Sequence, residues 1–139
     1  MPIPESAAPP MPLSTPCPCG SGASLANCCG RWHAGDTAPT AEALMRSRYS
    51  AYVLGLEDYL LATWHESTRP ASLGLATQSP KPTWLGLSVK RHETPTADTA
   101  IVEFVARLRM GGGSAERMHE TSRFVREGDR WFYVDGTLG

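Results

Sequence analysis

All four cysteines of the chain fall between residues 17 and 29, in the stretch "CPCGSGASLANCCG". Cys17 and Cys19 are separated by one residue. Eight residues later Cys28 and Cys29 stand side by side. A disulfide within either pair would close a short, strained ring. Cross-pairing would tie off a loop of about a dozen residues, a solution suited to an exported protein. Two close pairs of thiolates also match what zinc requires, four soft ligands at tetrahedral angles. On spacing, Zn2+ held by Cys17, Cys19, Cys28 and Cys29 is the preferred reading. Gly20 and Gly22 allow a sharp turn after the first pair. Ser21 or Ser24 is placed to cap a helical turn through "SLANCC" that returns the second pair to the ion. His33, beside Trp32, reads as a contact packing this knuckle on the rest of the protein.

A second candidate site comes from a misplaced charge. On a helical wheel of "AEALMRSRYSAYVL", residues 41–54, the positions Ala41, Leu44, Met45, Ala51 and Tyr52 form an apolar face. Arg48 falls in its middle, while Arg46 and Ser50 fall opposite, among solvent-facing positions. A guanidinium aimed into a domain needs an acidic partner or a ligand with an anionic or carbonyl group. Strand alternation nominates Glu120 as the first partner, with Asp135 and Glu103 as alternatives. Glu120 and Ser122 share a face with Phe124, which marks that face as the inner one. Trp131, Tyr133 and Asp135 share another. The pocket candidates are therefore Arg48, Trp64, His65, Glu120, Ser122, Trp131, Tyr133 and Asp135, with Trp64 and His65 closing one rim. The opposite parity would turn His119 inward, a weak candidate for a general base. No Ser-His-Asp pattern, nucleophile elbow or second metal cluster appears.

Those residues need elements to hold them. At 139 residues the chain suits one compact domain with a small appendage. A hydrophobic content of 41% fits a globular protein, and a formal net charge of −1 gives no basis for nucleic-acid binding. No apolar run approaches the roughly 18 residues of a membrane span. Residues 1–16 hold six of the twelve prolines and read as a disordered tail. They contain no Lys, Arg or apolar core of a signal peptide, so the expected compartment is the cytoplasm. Residues 35–40 read as a linker. Thr40 is placed to cap the helix over 41–54, which Gly55 ends. A second helix is expected over 57–66. After Pro82 the pattern changes to four strands, over 83–94, 98–110, 116–127 and 130–136, with turns at "PTA", "GGGS" and "GD". Helices followed by antiparallel strands make an α+β plan. The triple glycine at 111–113 lies between strands and reads as a hairpin turn, not a phosphate loop.

The cysteine stretch resembles the SEC-C motif, C-x-C-x8-C-[CH], through "CPCGSG" and "CCG". With "AEALMRSRYSAYVLG", "YLLATWH", "HETSRF" and "RWFYVDG", the chain after residue 16 is similar to the YchJ family. That resemblance implies a SEC-C zinc knuckle over 17–34 and a nuclear transport factor 2-like domain over 35–139. In such a domain a curved antiparallel sheet wraps helices as a cone with a pocket. The resemblance also implies zinc on the four cysteines and a knuckle that docks other molecules. The expectation is a zinc-binding cytosolic adaptor, whose knuckle docks a protein partner and whose cone binds a small ligand or second partner. The alternative is a cofactor-independent enzyme of isomerase, dehydratase or cyclase type, using acid–base chemistry in the cone.

Overall fold

The computed structural model describes residues 13–139. Most of the expected disordered tail, residues 1–12, lies outside the described residues. Its last part is engaged with the knuckle. The Leu25 amide donates to the Thr15 carbonyl at 2.8 Å, and the Ala26 amide to the Leu13 carbonyl at 3.0 Å. Pro16 forms an isolated antiparallel bridge with Ser24.

Three helices precede four strands. Helix α1 spans Cys29–His33, α2 Ala41–Leu54 and α3 Glu57–Ala62. Strands β1 to β4 span Pro82–Thr96, Thr99–Met110, Ala115–Glu127 and Arg130–Leu138. They form one antiparallel sheet in chain order. Consecutive hairpins are the simplest way to pair strands joined by such short turns. Three register shifts interrupt the β1–β2 ladder, and one interrupts β3–β4. Bulges of this kind bend a sheet, and here the curved sheet wraps α2. The fold is α+β.

Helix α2 starts where the Thr40 hydroxyl accepts the Ala43 amide at 3.0 Å. It closes at Gly55, which takes the left-handed conformation. Helix α3 stops at Ala62, four residues short of the expected end. The chain there is captured by β4. The Tyr133 amide donates to the Thr63 carbonyl at 2.9 Å, and the His65 amide to the Tyr133 carbonyl at 2.7 Å. Two strand-type bonds replace the helix's own, so Trp64 is extended rather than helical.

The core joins Leu44, Met45 and Tyr49 of α2 to Val102, Phe104, Phe124 and Trp131 of the sheet. A second cluster gathers Cys17, Cys19, Leu25 and Cys29 against Leu54 and Leu87. The two clusters lie on different sides of α2. Ser47 and Ser50 are fully buried, and Ser50 does not face solvent as the helical wheel suggests. The knuckle covers that side of the helix, a contact that a wheel of one helix cannot register. The imidazole of His33 donates from Nε2 to the Ser47 carbonyl at 2.9 Å and meets the Tyr59 ring edge-on at 4.8 Å.

Burial holds the pKa of His33 below its usual 6.5, against the raising effect of its bond to Ser47. A depressed histidine contributes stability that is complete above the unfolded pKa and lost as pH falls through the folded one. Stability should therefore fall as pH drops below about 6.5. In His33→Gln, which keeps a donor for Ser47, urea denaturation across this range should show a flatter dependence. An unchanged slope would contradict the assignment.

Candidate functional site

The four thiols converge. Every pair of Sγ atoms among Cys17, Cys19, Cys28 and Cys29 lies within 4.8 Å. Cys19 and Cys28 are 3.6 Å apart, and Cys28 and Cys29 4.0 Å. A tetrahedron with about 2.3 Å metal–sulfur bonds has edges of about 3.8 Å, which the 3.6 and 4.0 Å separations match and which the 4.8 Å limit exceeds by about 1 Å. The same distances are far from the roughly 2.05 Å of a disulfide, and all four cysteines are free thiols. Cys17, Cys19 and Cys29 are buried. Contacts with Cys19 and Cys29 push the Cys17 thiol's pKa down, and those with Cys17 and Cys19 push that of Cys29 up. Such a cluster of soft donors, sharing protons unevenly, could hold a metal ion.

Local geometry builds this cup. Gly20 and Gly22 both take positive φ and turn the chain after the first pair. Ser24 precedes the short 3-10 turn Leu25–Asn27 but makes no side-chain cap. Ser21 instead turns inward, its hydroxyl 3.0 Å from the sulfur of Cys28. Helix α2 supplies the outer contacts. The Ser50 hydroxyl lies 3.5 Å from the Cys17 sulfur, and Arg46 donates to the Cys19 carbonyl at 3.1 Å. Sequence reasoning missed both α2 residues, because they sit on the side that the wheel leaves to solvent.

On the other side of α2 lies a cavity of about 270 Å³. Met45, Phe104, Met118 and Phe124 give it an apolar wall, and Tyr49, Tyr52 and Trp84 an aromatic one. Its polar side consists of Arg48, Tyr133, Glu120 and Ser122. Arg48 is 6% exposed. Its Nη1 donates to the Leu60 carbonyl at 2.8 Å and the Thr63 hydroxyl at 2.7 Å, both at the end of α3. Its guanidinium also lies 4.5 Å from the Tyr133 ring centroid and 5.1 Å from that of Trp64. The expected ion pair with Glu120, Asp135 or Glu103 is absent among the described residues. Carbonyl, hydroxyl and ring faces take the charge instead. Burial lowers the Arg48 pKa, while Tyr52, Tyr133 and, more weakly, Glu120 oppose that change.

Glu120 accepts from Ser122 at 2.7 Å and from the Tyr133 hydroxyl at 3.4 Å. Its carboxylate occupies the space over Gly136, where any β-carbon would collide with it. Burial and the nearby Glu120 raise the Tyr133 pKa, which keeps the phenol protonated.

The remaining candidates are placed elsewhere. Tyr133 pairs with Phe124, but Asp135 pairs with Arg123, so Val134 is the extra residue of a bulge. That bulge turns Asp135 to the outer face, where Arg123 holds it by a bond of 2.6 Å. Trp131 is buried in the core and lines a smaller cleft with Trp32 and His33 instead. Trp64 stacks edge-on against Tyr133 at 5.0 Å without lining the cavity. His65 pairs with Glu127 at 2.7 Å, outside the cavity. His119 is on the outer face, 2.6 Å from Glu103, which Arg91 also reaches at 3.1 Å. Trp84 and Tyr49 were not anticipated. The register shift of β1 between Trp84 and Gly86 hides the phase of Trp84.

The family model for the middle, nuclear transport factor 2-like domain of YchJ matches residues 40–136, and the SEC-C motif matches residues 14–31. The chain belongs to the YchJ family. It is 62% identical over 126 residues to a UPF0225 protein of Chromobacterium violaceum, covering 88% of this chain and 92% of that one. The solution structure of a SEC-C motif containing protein from Rhodopseudomonas palustris superimposes with a TM-score of 0.79 at 34% identity. It covers 88% of this chain and 98% of that one. A putative calcium/calmodulin-dependent protein kinase type II association domain from Thiobacillus denitrificans has a TM-score of 0.59 at 18% identity. That match covers 74% of this chain and 96% of that one and shows the cone fold alone. No helix among the described residues is long and apolar enough to cross a membrane. In this YchJ-family chain the SEC-C cysteines and the domain cavity thus share one helix, α2.

The partners of Arg48 make a measurable claim. In double-mutant cycles, Arg48→Met should couple more strongly to Thr63→Val than to Glu120→Gln, with a Thr63 coupling of about 1 kcal/mol. The reverse order by urea denaturation would restore the ion pair.

Proposed function

We propose that this protein is a zinc-binding cytoplasmic adaptor. The metal fixes the SEC-C knuckle to α2 for docking on a protein partner, and the cone binds a small ligand. The observation that carries this reading is the placement of the two sites on opposite sides of one buried helix. Ser50 and Arg46 touch the thiol cup, while Arg48, Tyr49 and Tyr52 line the cavity. Cys17, Cys19, Cys28 and Cys29 would hold the ion. Four thiolates close a tetrahedral site, which leaves no open position for chemistry and makes its role structural. Arg31 is exposed at the end of α1 with its guanidinium 4.4 Å above the Trp32 ring, a surface suited to protein contact.

The cavity favours binding over catalysis. No histidine lines it, and the acid–base alternative would rest on Glu120 alone among its carboxylates. That carboxylate is already engaged by Ser122 and Tyr133. The apolar walls with a few convergent polar groups are the composition of a small-molecule site.

Protein purified without chelator should contain one zinc per chain by elemental analysis, with sulfur neighbours at about 2.3 Å in X-ray absorption. Cys17→Ser should lose most of that metal and melt at a lower temperature. Four free thiols with no zinc would contradict the reading. For the docking role, a partner captured by the wild type should be lost with Cys17→Ser.

A further inference from the structure

The polar side of the cavity limits what it can accept. Arg48 uses only Nη1 on protein acceptors. Among the described residues, Nε and Nη2 have no hydrogen-bond partner, although the side chain is 6% exposed and lines the cavity. Among the described residues the one buried side-chain nitrogen or oxygen without a partner is His92 Nε2, so the free donors of Arg48 open into the cavity, where water or a ligand can accept from them. Glu120 presents the complementary need: Ser122 and Tyr133 both donate to its Oε2, which leaves Oε1 to accept, and a carboxylate cannot donate. Tyr133 separates the two charges. Its ring face takes the guanidinium, and its hydroxyl donates to Glu120. The cavity therefore already holds one cation and one anion, not paired with each other. An incoming anion would satisfy Arg48 but leave an excess negative charge beside Glu120. An incoming cation would do the reverse beside Arg48. In a half-open cavity with aromatic walls, where charge is screened less than in bulk water, either excess is unfavourable.

Resting on the ligand-binding reading of the cone, we infer that its cavity selects a small, neutral, planar apolar molecule bearing an adjacent acceptor and donor, of the carboxamide class. The carbonyl oxygen accepts from Arg48, and the N–H donates to Glu120. The apolar body packs among Trp84, Tyr49 and Phe104. A space of about 270 Å³ suits a single-ring compound.

Four probes of one shape test this: benzamide, benzoate, benzylammonium and toluene. Binding is followed by the methyl signals of Met45 and Met118, which line the cavity. Wild-type protein should bind benzamide about tenfold more tightly than the other three, as expected for hydrogen bonds to charged groups. Glu120→Gln should raise benzoate affinity until it rivals benzamide. Arg48→Met should do the same for benzylammonium. These reversals would not follow from loosened packing alone. The wild-type ranking stands by itself if a variant fails to fold. If benzoate, benzylammonium or toluene binds the wild type best, or folded variants leave the ranking unchanged, the inference falls while ligand binding stands. If no probe shifts either methyl signal, the ligand-binding reading falls and takes the inference with it.

Discussion

Helix α2 is buried on both sides, and most of the structure follows from that constraint. A helix packed only against a sheet needs one apolar stripe. This one also carries Ser47, Arg48 and Ser50, all buried, in addition to its apolar residues. Each polar group finds a separate solution. Ser47 donates to the Leu44 carbonyl at 2.7 Å and meets the Tyr59 hydroxyl at 2.7 Å. Ser50 faces a cysteine sulfur, and Arg48 reaches the end of α3. Removing the knuckle would expose one side of the helix, and removing α3 would strand the guanidinium. The small N-terminal module is thus part of the domain's packing.

The handling of Arg48 explains the cavity. A direct ion pair with Glu120 would have closed the space and neutralised both groups. Instead the charge is spread over a carbonyl, a hydroxyl and two aromatic rings, and Glu120 is held by Ser122 and Tyr133. Buried ion pairs often gain little, because desolvation offsets their attraction. Here the two charges remain apart across Tyr133, and a mainly apolar space with one polar side is retained between the helix and the sheet.

Much of this was legible in the sequence, for identifiable reasons. The cysteine spacing admits few chemistries, so convergence of the thiols could be expected from residues 17–29 alone. Strand composition and turn residues announced the four hairpin strands, and the phase of Arg48 pointed it inward. What stayed hidden lies where local periodicity breaks. The bulge at Val134 reverses the parity of β4, which moved Asp135 from the expected inner face to a surface pair with Arg123. Pairing of residues 63–65 with Tyr133 ended α3 early and carried His65 away from the cavity. Ser50 and Arg46 became site residues only because a separate module covers them. Each miss involves a long-range contact overriding a local pattern, as tertiary packing commonly does.

The double anchoring of α2 is most directly tested by native-state amide hydrogen exchange with and without metal. If the knuckle holds one side of the helix, chelation should speed exchange in residues 44–52 as well as in residues 17–33. The central strands β2 and β3 should keep their protection, because their core contacts do not involve the cysteines. Unchanged protection of α2 after complete metal removal would contradict the account, since the helix would then depend on the sheet alone.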